Sequence, residues 1–444
     1  MSLVALELVD AGLVALKGEA LSAPSPGVAL LDPAGVTVGR EAAAALRLKP
    51  VLAADRFWSA LSLEPLARTA PGVRCTADLA WLHLSRLWAE ISAPGDEALV
   101  AVPGSLRGES LGLAAGIARA AGVPVAGWVD AAVAACAALP AEATVLHLDV
   151  ELHQSVLTVM GGGNALRRQR VDIAPRVGLK ALQAAWAQVI AETMVRRTRF
   201  DPLHQAAAEQ QLFDRLPRWL AAAAAGATVD IQVESGAGSF GVSLPGEQFA
   251  FVAEAWYSQL VDLLRAAREA EEPATLALSS RAARLPGLAA RCAELPGLDV
   301  VELPEGAAAR GALDNAASLG GGPPALVTAL PRAHPLAPAG AAAHGEPPTH
   351  VLFAGRAHPI TAEPLVVGLD PGAPRSLTLP GPAPGVSPRH CELLCENGSV
   401  IVRDLSGGGT FLNGERVTGQ ARVAAGDRLR LGRPGLSLDL VAVG

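Results

Sequence analysis

Before residue 319, some segments show the short apolar runs of β-strands and others show the helical period of apolar residues. Residues 3–16 hold two short apolar runs on either side of an Asp-Ala-Gly turn, which predicts a β-hairpin. Similar short runs predict strands at 98–103, 144–150, 154–160, 227–233, 238–244, 275–279 and 298–303. A helical period predicts helices at 78–94, 108–121, 179–225, 246–270 and 286–295. Strands that alternate with helices in this way predict an α/β fold with mixed sheets.

The pattern changes after residue 318. Residues 319–348 repeat Gly, Pro and Ala without a lasting period, which predicts a flexible linker. Residues 349–444 show short strands at close spacing, separated by Gly, Pro and Asn turns, and no helical period. This spacing is typical of a small β-sandwich. The sequence therefore predicts a first domain at 1–318, a linker at 319–348 and a second domain at 349–444.

Charge and composition narrow the function classes. The net charge is −7, and lysine occurs only at positions 17, 49 and 180, so no basic stripe favours nucleic acid as a partner. The 5 cysteines are scattered and do not predict a disulfide framework. The apolar stretch 111–139 is interrupted by Arg119 and Asp130, and the N-terminus lacks a basic start. We therefore expect no membrane span, no signal peptide and a cytoplasmic location.

Several segments of the first domain, in order, resemble the nucleotide-binding domain of DnaK-type heat-shock chaperones. They are the opening hairpin, 38–61, 98–138, VLHLDVELHQSVLTV at 145–159, and LALSSRAARLPGLAARCAEL at 276–295. The resemblance implies a two-lobed actin/DnaK-like fold with ribonuclease H-like sheets. It also implies ATP or ADP with Mg²⁺ as the cofactor.

The phosphate loops depart from that family. Its second loop is an Asp followed by glycines and a Thr, because bare backbone N–H groups must surround the phosphate. Asp149 is kept here, but larger side chains follow it, and Glu151 would repel a phosphate. In the first loop, either Glu7 or Asp10 with Gly12 corresponds to the family's Asp and glycine turn, and the sequence leaves both registers open.

Other positions of the family's site are also replaced. The lysine that aids hydrolysis falls near Trp58, and the catalytic Glu becomes Val129, beside Asp130. A Ser-Ser-Arg run at 279–281 stands where the family has paired glycines, and Arg284 stands where its Arg packs on adenine. The candidate nucleotide-binding residues are therefore Glu7, Asp10, Gly12, Asp130, Asp149, Ser280 and Arg284. We assign no catalytic residue and no metal site from the sequence.

The second domain resembles the forkhead-associated (FHA) family. The segments that carry the resemblance are LVVG at 365–368, GVSPRHCEL at 385–393, VRDLSGGGTFLNGERV at 402–417 and GDRLRLG at 426–432. FHA domains bind phosphothreonine peptides through loops at one end of a sandwich. The resemblance therefore implies a protein partner, with phosphothreonine as its recognised group.

The departures from the FHA pattern fall on the binding loops. Leu369 replaces the Arg that grips phosphate, and Gly408 replaces the Asn that fixes the peptide backbone. The residues that match the family's loops are Ser387, Arg389, His390, Thr410 and Asn413. In the family the last three brace the loops, which leaves Ser387 and Arg389 as anion-binding candidates.

Two functions remain open from the sequence. The first is a non-catalytic or weakly nucleotide-responsive, chaperone-like scaffold whose FHA module mediates protein–protein interaction. The second is an active ATP-dependent DnaK-like chaperone with a rewired phosphate site and a phosphothreonine-reading FHA domain. The replaced loop residues favour the first.

Overall fold

The computed structural model describes the greater part of the chain. The described residues are 2–139, 144–236, 238–268, 273–319, 325–332, 347–381, 383, 385–396, 398–413, 415–417, 419–432 and 436–442. In this part of the chain, no helix is both long enough and apolar enough to cross a membrane.

The strands before residue 333 form two large sheets and three small ones. In chain order they are β1 (Leu3–Glu7), β2 (Val14–Lys17), β3 (Ala20–Leu21), β4 (Ala29–Asp32), β5 (Gly35–Val38), β6 (Ala53–Ala54), β7 (Pro65–Ala70), β8 (Val73–Cys75), β9 (Glu97–Val102), β10 (Val125–Asp130), β11 (Thr144–Val150), β12 (Gln154–Gly161), β13 (Ala165–Pro175), β14 (Val229–Ser235), β15 (Gly238–Leu244), β16 (Ala274–Leu278), β17 (Leu298–Glu302), β18 (Leu326–Val327) and β19 (Ala329–Pro331).

The two large sheets repeat one topology. The first has the order β18-β10-β9-β1-β2-β3, and the second has the order β17-β16-β11-β12-β13-β19. In each, a hairpin and a third antiparallel strand are followed by two strands parallel to the first strand of the hairpin. The mixed α/β architecture predicted from the hydrophobic pattern is therefore observed, and it contains an internal structural repeat.

Helices connect and cover these sheets. They are α1 (Gly39–Ala43), α2 (Thr76–Ile91), α3 (Glu109–Ala120), α4 (Ala131–Cys136), α5 (Leu179–Thr198), α6 (Ala206–Ala224), α7 (Gly246–Ala267), α8 (Ser280–Ala283), α9 (Leu288–Ala293) and α10 (Ala307–Asp314), with 3-10 turns at Pro50–Leu52, Pro202–His204 and Ala316–Ser318.

The helical region predicted at 179–225 consists of two helices, α5 and α6. Helix α5 ends where Arg199 adopts a left-handed conformation (φ 63°), and Pro202 then begins a 3-10 turn. A left-handed residue terminates a helix, and proline lacks the N–H that would continue one. The helical period alone did not locate this break because both helices bury the same kind of apolar face.

A shared core joins the two large sheets. It contains Ala5 from β1, Val145 from β11, Val133 from α4 and Ala309 from α10, all fully buried. Helices α4 and α10 therefore lie between the sheets. Any side chain at Gly311 would collide with the backbone of Ala134, so the two helices approach each other closely.

Part of the predicted linker belongs to the first domain. Strand β18 extends the first sheet by pairing in parallel with β10, and β19 extends the second sheet by pairing antiparallel with β13. Leu326, Val327 and Ala329 are half-buried and Leu330 is fully buried, so this stretch has the backbone pairing and the burial that a linker lacks. Residues 320–324 and 333–346 of the predicted linker lie outside the described residues.

The C-terminal part is a β-sandwich. Its strands are β20 (His350–Phe353), β21 (Arg356–Pro359), β22 (Leu365–Gly368), β23 (Ser376–Thr378), β24 (Cys391–Glu396), β25 (Ser399–Asp404), β26 (Thr410–Leu412), β27 (Glu415–Arg416), β28 (Gln420–Val423), β29 (Arg428–Leu431) and β30 (Leu436–Val441). One sheet has the order β21-β20-β30-β29-β26-β27 and the other β23-β22-β24-β25-β28. Their inner faces share one apolar core of mainly Val and Leu side chains.

Candidate functional site

Two hairpin turns face each other where the large sheets meet. In the first, between β1 and β2, the N–H of Gly12 donates to the carbonyl of Val9. In the second, between β11 and β12, the N–H of Glu151 donates to the carbonyl of Gln154. The turns are in direct contact, because the backbone N–H of Leu152 donates to Asp10 Oδ1 at 2.7 Å.

An arginine lies between the carboxylates of the two hairpins. Arg281 follows β16, and its Nη2 lies 2.9 Å from Glu7 Oε1 and 2.7 Å from Asp149 Oδ2. Its Nε donates to Asp149 Oδ1 at 3.0 Å, so the bond to Asp149 is bidentate. The Ser279 hydroxyl donates to the same oxygen at 2.6 Å. One internal guanidinium thus joins the first sheet to the second.

The ion pairs keep these buried groups charged. Burial alone would raise the pKa of Asp149, but Arg281 outweighs burial and holds that pKa at about 2. Burial alone would lower the pKa of Arg281, but Asp149 and then Glu7 outweigh burial and raise it. Glu7 and Asp149 are 4% and 5% exposed. The guanidinium is therefore the counter-ion of two buried carboxylates.

Little space remains beside this bridge. A cavity of about 20 Å³ is lined by Glu7, His147, Asp149, Ser280 and Arg281, among others. That volume corresponds to about one water molecule. A nucleotide cannot enter between the hairpins at this point unless Arg281 moves.

A second cavity lies on the other side of the hairpin turns. Its volume is about 130 Å³, and Asp10, Trp58, Ser105 and Glu151 are among its lining residues. Glu151 accepts hydrogen bonds from Ser105 Oγ at 2.9 Å and Gln154 Nε2 at 2.7 Å. Burial, and then the nearby Asp10 carboxylate, raise the pKa of Glu151, and burial also raises the pKa of Asp10. Two buried carboxyl groups therefore lie close together here, and each disfavours the negative charge of the other.

The remaining predicted residues are dispersed. Asp130 is fully buried, caps α4 through the N–H groups of Ala132 and Val133, and pairs with Arg168 at 2.7 Å. Arg284 lies at the surface, where it pairs with Glu305 at 2.7 Å. Neither residue is bonded to Glu7 or Asp149, so the structure assigns them local structural contacts. Ser280 lines the small cavity, and Gly12 only closes its turn.

Sequence reasoning did not select the two residues that dominate the geometry. Arg281 and Glu151 were noted only as replacements of family glycines. The available signal was the placement of an arginine directly after a buried strand that runs parallel to the strand bearing Asp149. Parallel strands end at the same edge of a sheet, so a charge there lies near the second hairpin.

Three polar side chains brace the loops of the C-terminal sandwich. His390 is fully buried, accepts from the N–H of Ser387 at 3.0 Å and donates through Nε2 to the carbonyl of Gly409 at 3.0 Å. The Thr410 hydroxyl donates to Asp404 at 2.8 Å. Asn413 adopts a positive φ of 50° and donates to Asp427 at 2.9 Å. Each side chain holds one loop against its neighbour.

Comparison with known families identifies this region. Residues 365–432 match the family model of the FHA domain. The chain contains an FHA domain. That match includes the described sandwich loops and places His390, Thr410 and Asn413 within the FHA domain. No curated protein is similar enough to the chain to count as a relative.

We call the loops that carry Leu369, Ser387, Arg389 and Gly408 the loop face of the FHA domain. It has a leucine at the position of the family's phosphate-gripping Arg, and it retains the cation Arg389. Leu369 packs partly against the core, and its N–H donates to the carbonyl of Ser387 at 3.2 Å. A side chain at Gly408 would collide with the carbonyl of Gly385, so this packing leaves no room for the family's Asn. Arg389 is exposed, and no ion pair with it is found among the described residues. Ser387 is half-buried, and the exposed Arg389 follows it two positions later in the same loop.

Proposed function

We propose that the chain is a non-catalytic, or at most weakly nucleotide-responsive, scaffold with two parts. The first part is a two-lobed actin/DnaK-like module whose nucleotide cleft is occupied by the protein's own Arg281. The second part is the FHA domain, which is a protein–protein interaction module and binds a protein partner through its loop face.

The fold of the first part supports this proposal. Five strands with the same order and directions in each large sheet, facing hairpins and two helices between the sheets agree with a duplicated ribonuclease H-like architecture. Three of the five sequence segments that resemble DnaK coincide with well-defined elements. The opening hairpin is β1–β2, the segment at 145–159 lies in the hairpin β11–β12, and the segment at 276–295 covers the end of β16 with α8 and α9.

The observation that carries the non-catalytic assignment is the Glu7–Arg281–Asp149 bridge. In a working site, the acids of the two hairpins would hold Mg²⁺ and ATP between them. Here a covalently attached cation takes that position, at 2.9 Å and 2.7 Å from the two carboxylates. The second loop supplies Glu151, Leu152 and His153 in place of glycines, so its side chains occupy the space that a phosphate needs.

Calorimetric titration of the full chain with Mg·ATP, together with an ATPase assay, tests whether the first part is non-catalytic. We expect no turnover above background and weak or absent binding, because Arg281 would have to leave two buried carboxylates. A steady ATPase rate that disappears in Asp149→Ala would contradict the proposal and support the alternative, an active DnaK-like chaperone. Asp299→Ala is the matched control, since Asp299 is exposed at the edge of the second sheet.

Titration with phosphothreonine peptides and their unphosphorylated forms tests whether the FHA domain binds a partner through its loop face. Arg389 is an exposed cation two positions after Ser387, so we expect weak, phosphate-dependent binding that is lowered further in Arg389→Ala. Arg422→Ala is the control, because Arg422 is exposed on β28, away from the loop face. Equal binding of both peptide forms would instead show that the FHA domain recognises its partner without phosphate.

A further inference from the structure

Further side-chain contacts join the two halves of the first part, in addition to the Arg281 bridge. We use first half for residues 2–139, which contain most of the first large sheet, and second half for residues 144–319, which contain most of the second. One group of contacts lies between the turn after α1 and helix α6, and another lies between Asp55 and helix α5. We call these two groups together the clasp.

The amide of Gln210, on α6, is the buried centre of the first group. The residue is 6% exposed, and its Oε1 accepts from the backbone N–H of Arg47 at 2.8 Å. Its Nε2 donates to the carbonyl of Ala43 at 3.0 Å and to Asp214 Oδ1 at 2.8 Å. A buried amide is costly unless its polar atoms are hydrogen-bonded. Contact between α6 and the first half is therefore what satisfies the oxygen of this side chain.

The side chain of Arg47 extends the same contact along α6. Its Cζ lies 3.6 Å from the centre of the Phe213 ring, and its Nη1 lies 3.2 Å from Glu209 Oε1. A cation above an aromatic ring is attracted by the negative face of that ring, and the attraction grows as water is excluded. Arg47 thus contacts two successive turns of α6 with its guanidinium while its backbone N–H bonds Gln210.

Asp55 carries the second group of contacts. Its Oδ2 pairs with Lys180 of α5, and its backbone carbonyl accepts from His153 Nε2, in the second hairpin, at 2.8 Å. Burial alone would raise the pKa of Asp55, but His153 and then Lys180 outweigh burial and lower it. The carboxylate therefore stays charged while the two halves are in contact, and it keeps its attraction for Lys180.

An apolar contact accompanies these polar ones. Leu152 of the second hairpin packs against a small cluster of the first half that contains Val28, Leu30 and Ala42. Separation of the halves would expose this surface to water, which is unfavourable. Hydrogen bonds, ion pairs and apolar packing therefore all favour the same closed arrangement.

From these contacts we propose that the clasp holds the two halves closed without a ligand, so that the first part keeps a single conformation. Each contact of the clasp joins two groups of the protein itself, and its geometry is complete without a phosphate or a metal ion. The proposal deepens the scaffold function proposed above and rests on it, because a part that does not turn over nucleotide needs contacts of its own to stay closed.

Pulsed electron paramagnetic resonance between two spin labels on the full chain tests the proposal. Leu63→Cys and Arg218→Cys place the labels at exposed positions of the first and second halves, and Cys395→Ser removes the one native cysteine that is not buried. With the clasp intact, we expect one narrow distance distribution that Mg·ATP does not change. Gln210→Ala combined with Lys180→Met should add a second, longer distance.

Two outcomes would overturn the proposal. One is a broad distribution with the clasp intact that narrows when Mg·ATP is added, because the ligand would then be what closes the halves. The other is an unchanged narrow distribution in the double variant, because the clasp would then not be what holds them.

Gln211→Ala combined with Lys49→Met is the matched control. Gln211 bonds the backbone of Glu234 through both amide atoms within the second half, and Lys49 pairs with Asp32 within the first half. This double variant loses the same kinds of bonds but no contact between the halves, so its distance distribution should remain that of the intact clasp. The same longer distance in the control would indicate general loosening and would contradict the proposal.

Hydrogen exchange of the Arg47 amide tests whether the two groups of contacts open together. This N–H bonds Gln210, so Gln210→Ala should speed its exchange by about twofold to tenfold. Lys180→Met removes only a half-exposed ion pair, which leaves the fold intact, and it should still speed exchange at Arg47 by about twofold to fivefold. Lys49→Met should have no such effect.

Unchanged exchange at Arg47 in Lys180→Met would show that the two groups open independently, which would overturn the clasp as a single device. Distances and exchange rates are the readouts here, so the clasp can fail while the non-catalytic assignment stands. The ATPase assay decides that assignment separately.

Discussion

The cleft between the hairpins of the first part and the loop face of the FHA domain differ in the placement of a cation. In the cleft, Arg281 lies between Glu7 and Asp149. On the FHA face a cation has been lost, because Leu369 occupies the position of the family's phosphate-gripping Arg. The first site is filled from within, and the second is still open to solvent.

A ligand should therefore meet a different obstacle at each of the two sites. A ligand at the cleft must displace a bidentate, buried ion pair before it gains any contact. A ligand at the FHA face meets exposed groups, of which Arg389 still carries charge. We therefore expect Arg281 to compete with any ligand that enters the cleft, whereas the FHA face only lacks part of the attraction for a phosphate. Substitution of Arg281 should consequently change the free energy of unfolding. Substitution of Leu369 should change the affinity for a phosphopeptide.

The largest effect is expected for Arg281→Ala. Removal of this guanidinium leaves Glu7 and Asp149 buried and uncompensated, which typically costs about 3–5 kcal/mol of unfolding free energy. Denaturant unfolding of the full chain measures this loss. Arg284→Ala is the matched control, three residues away, because its ion pair with Glu305 is 58% exposed on the arginine side and such pairs contribute about 0–1 kcal/mol.

A charge-neutral version of the bridge sharpens that test. Arg281→Met combined with Glu7→Gln and Asp149→Asn removes the cation and both anions together, so most of the stability should return. If the triple variant is as unstable as Arg281→Ala, packing of the long side chain, and not charge compensation, is what Arg281 contributes.

An effect of pH is expected at His83 in the first part. His83 accepts from Trp58 Nε1 at 3.0 Å and contacts Ser25 Oγ at 2.8 Å. Burial, and then Arg40 and Arg86, lower its pKa to about 4. His83 therefore stays neutral in the folded state at pH values where the same residue is protonated in the unfolded chain. The free energy of unfolding consequently decreases as the pH falls from about 6.5 to about 4. The loss is about 3 kcal/mol.

Unfolding free energies at several pH values between 7 and 4 measure the effect. His83→Gln can keep both hydrogen bonds without titrating, so its stability should fall less steeply than that of the wild type. His204→Gln, with an exposed side chain, is the control. Identical slopes in the wild type and His83→Gln would assign the acid sensitivity to other groups.

The smallest effect is expected at the FHA face. Leu369→Arg restores a cation that can form charged hydrogen bonds, each worth about 1.5–3 kcal/mol. Affinity for phosphothreonine peptides should therefore rise by about tenfold to a hundredfold. Leu369→Gln, which has a polar side chain without charge, is the control. If Leu369→Arg does not raise affinity, the loop conformation, in which Gly408 packs on Gly385, limits binding more than the missing charge does.

The sequence by itself determined the mixed α/β character of the first part and the FHA domain of the second. Periodicity and turn residues are local properties, and motifs such as the Gly-Thr-Phe-Leu-Asn-Gly run at 409–414 place their residues by short spacing alone. The sequence also indicated that both binding sites had lost family residues, because a missing glycine, lysine or arginine is visible without a structure.

Only the tertiary structure decided which residues contact one another at these sites. Arg281 is 274 residues from Glu7 and 132 from Asp149. These three groups meet because β1 of the first sheet ends close to the parallel strands β11 and β16 of the second sheet. The same applies to Asp10 and Leu152, which are 142 residues apart, and to the residues 326–331 that complete both sheets from within a linker-like composition. Contacts at such separations depend on the packing of whole sheets, and no local pattern of hydrophobic and polar residues encodes them.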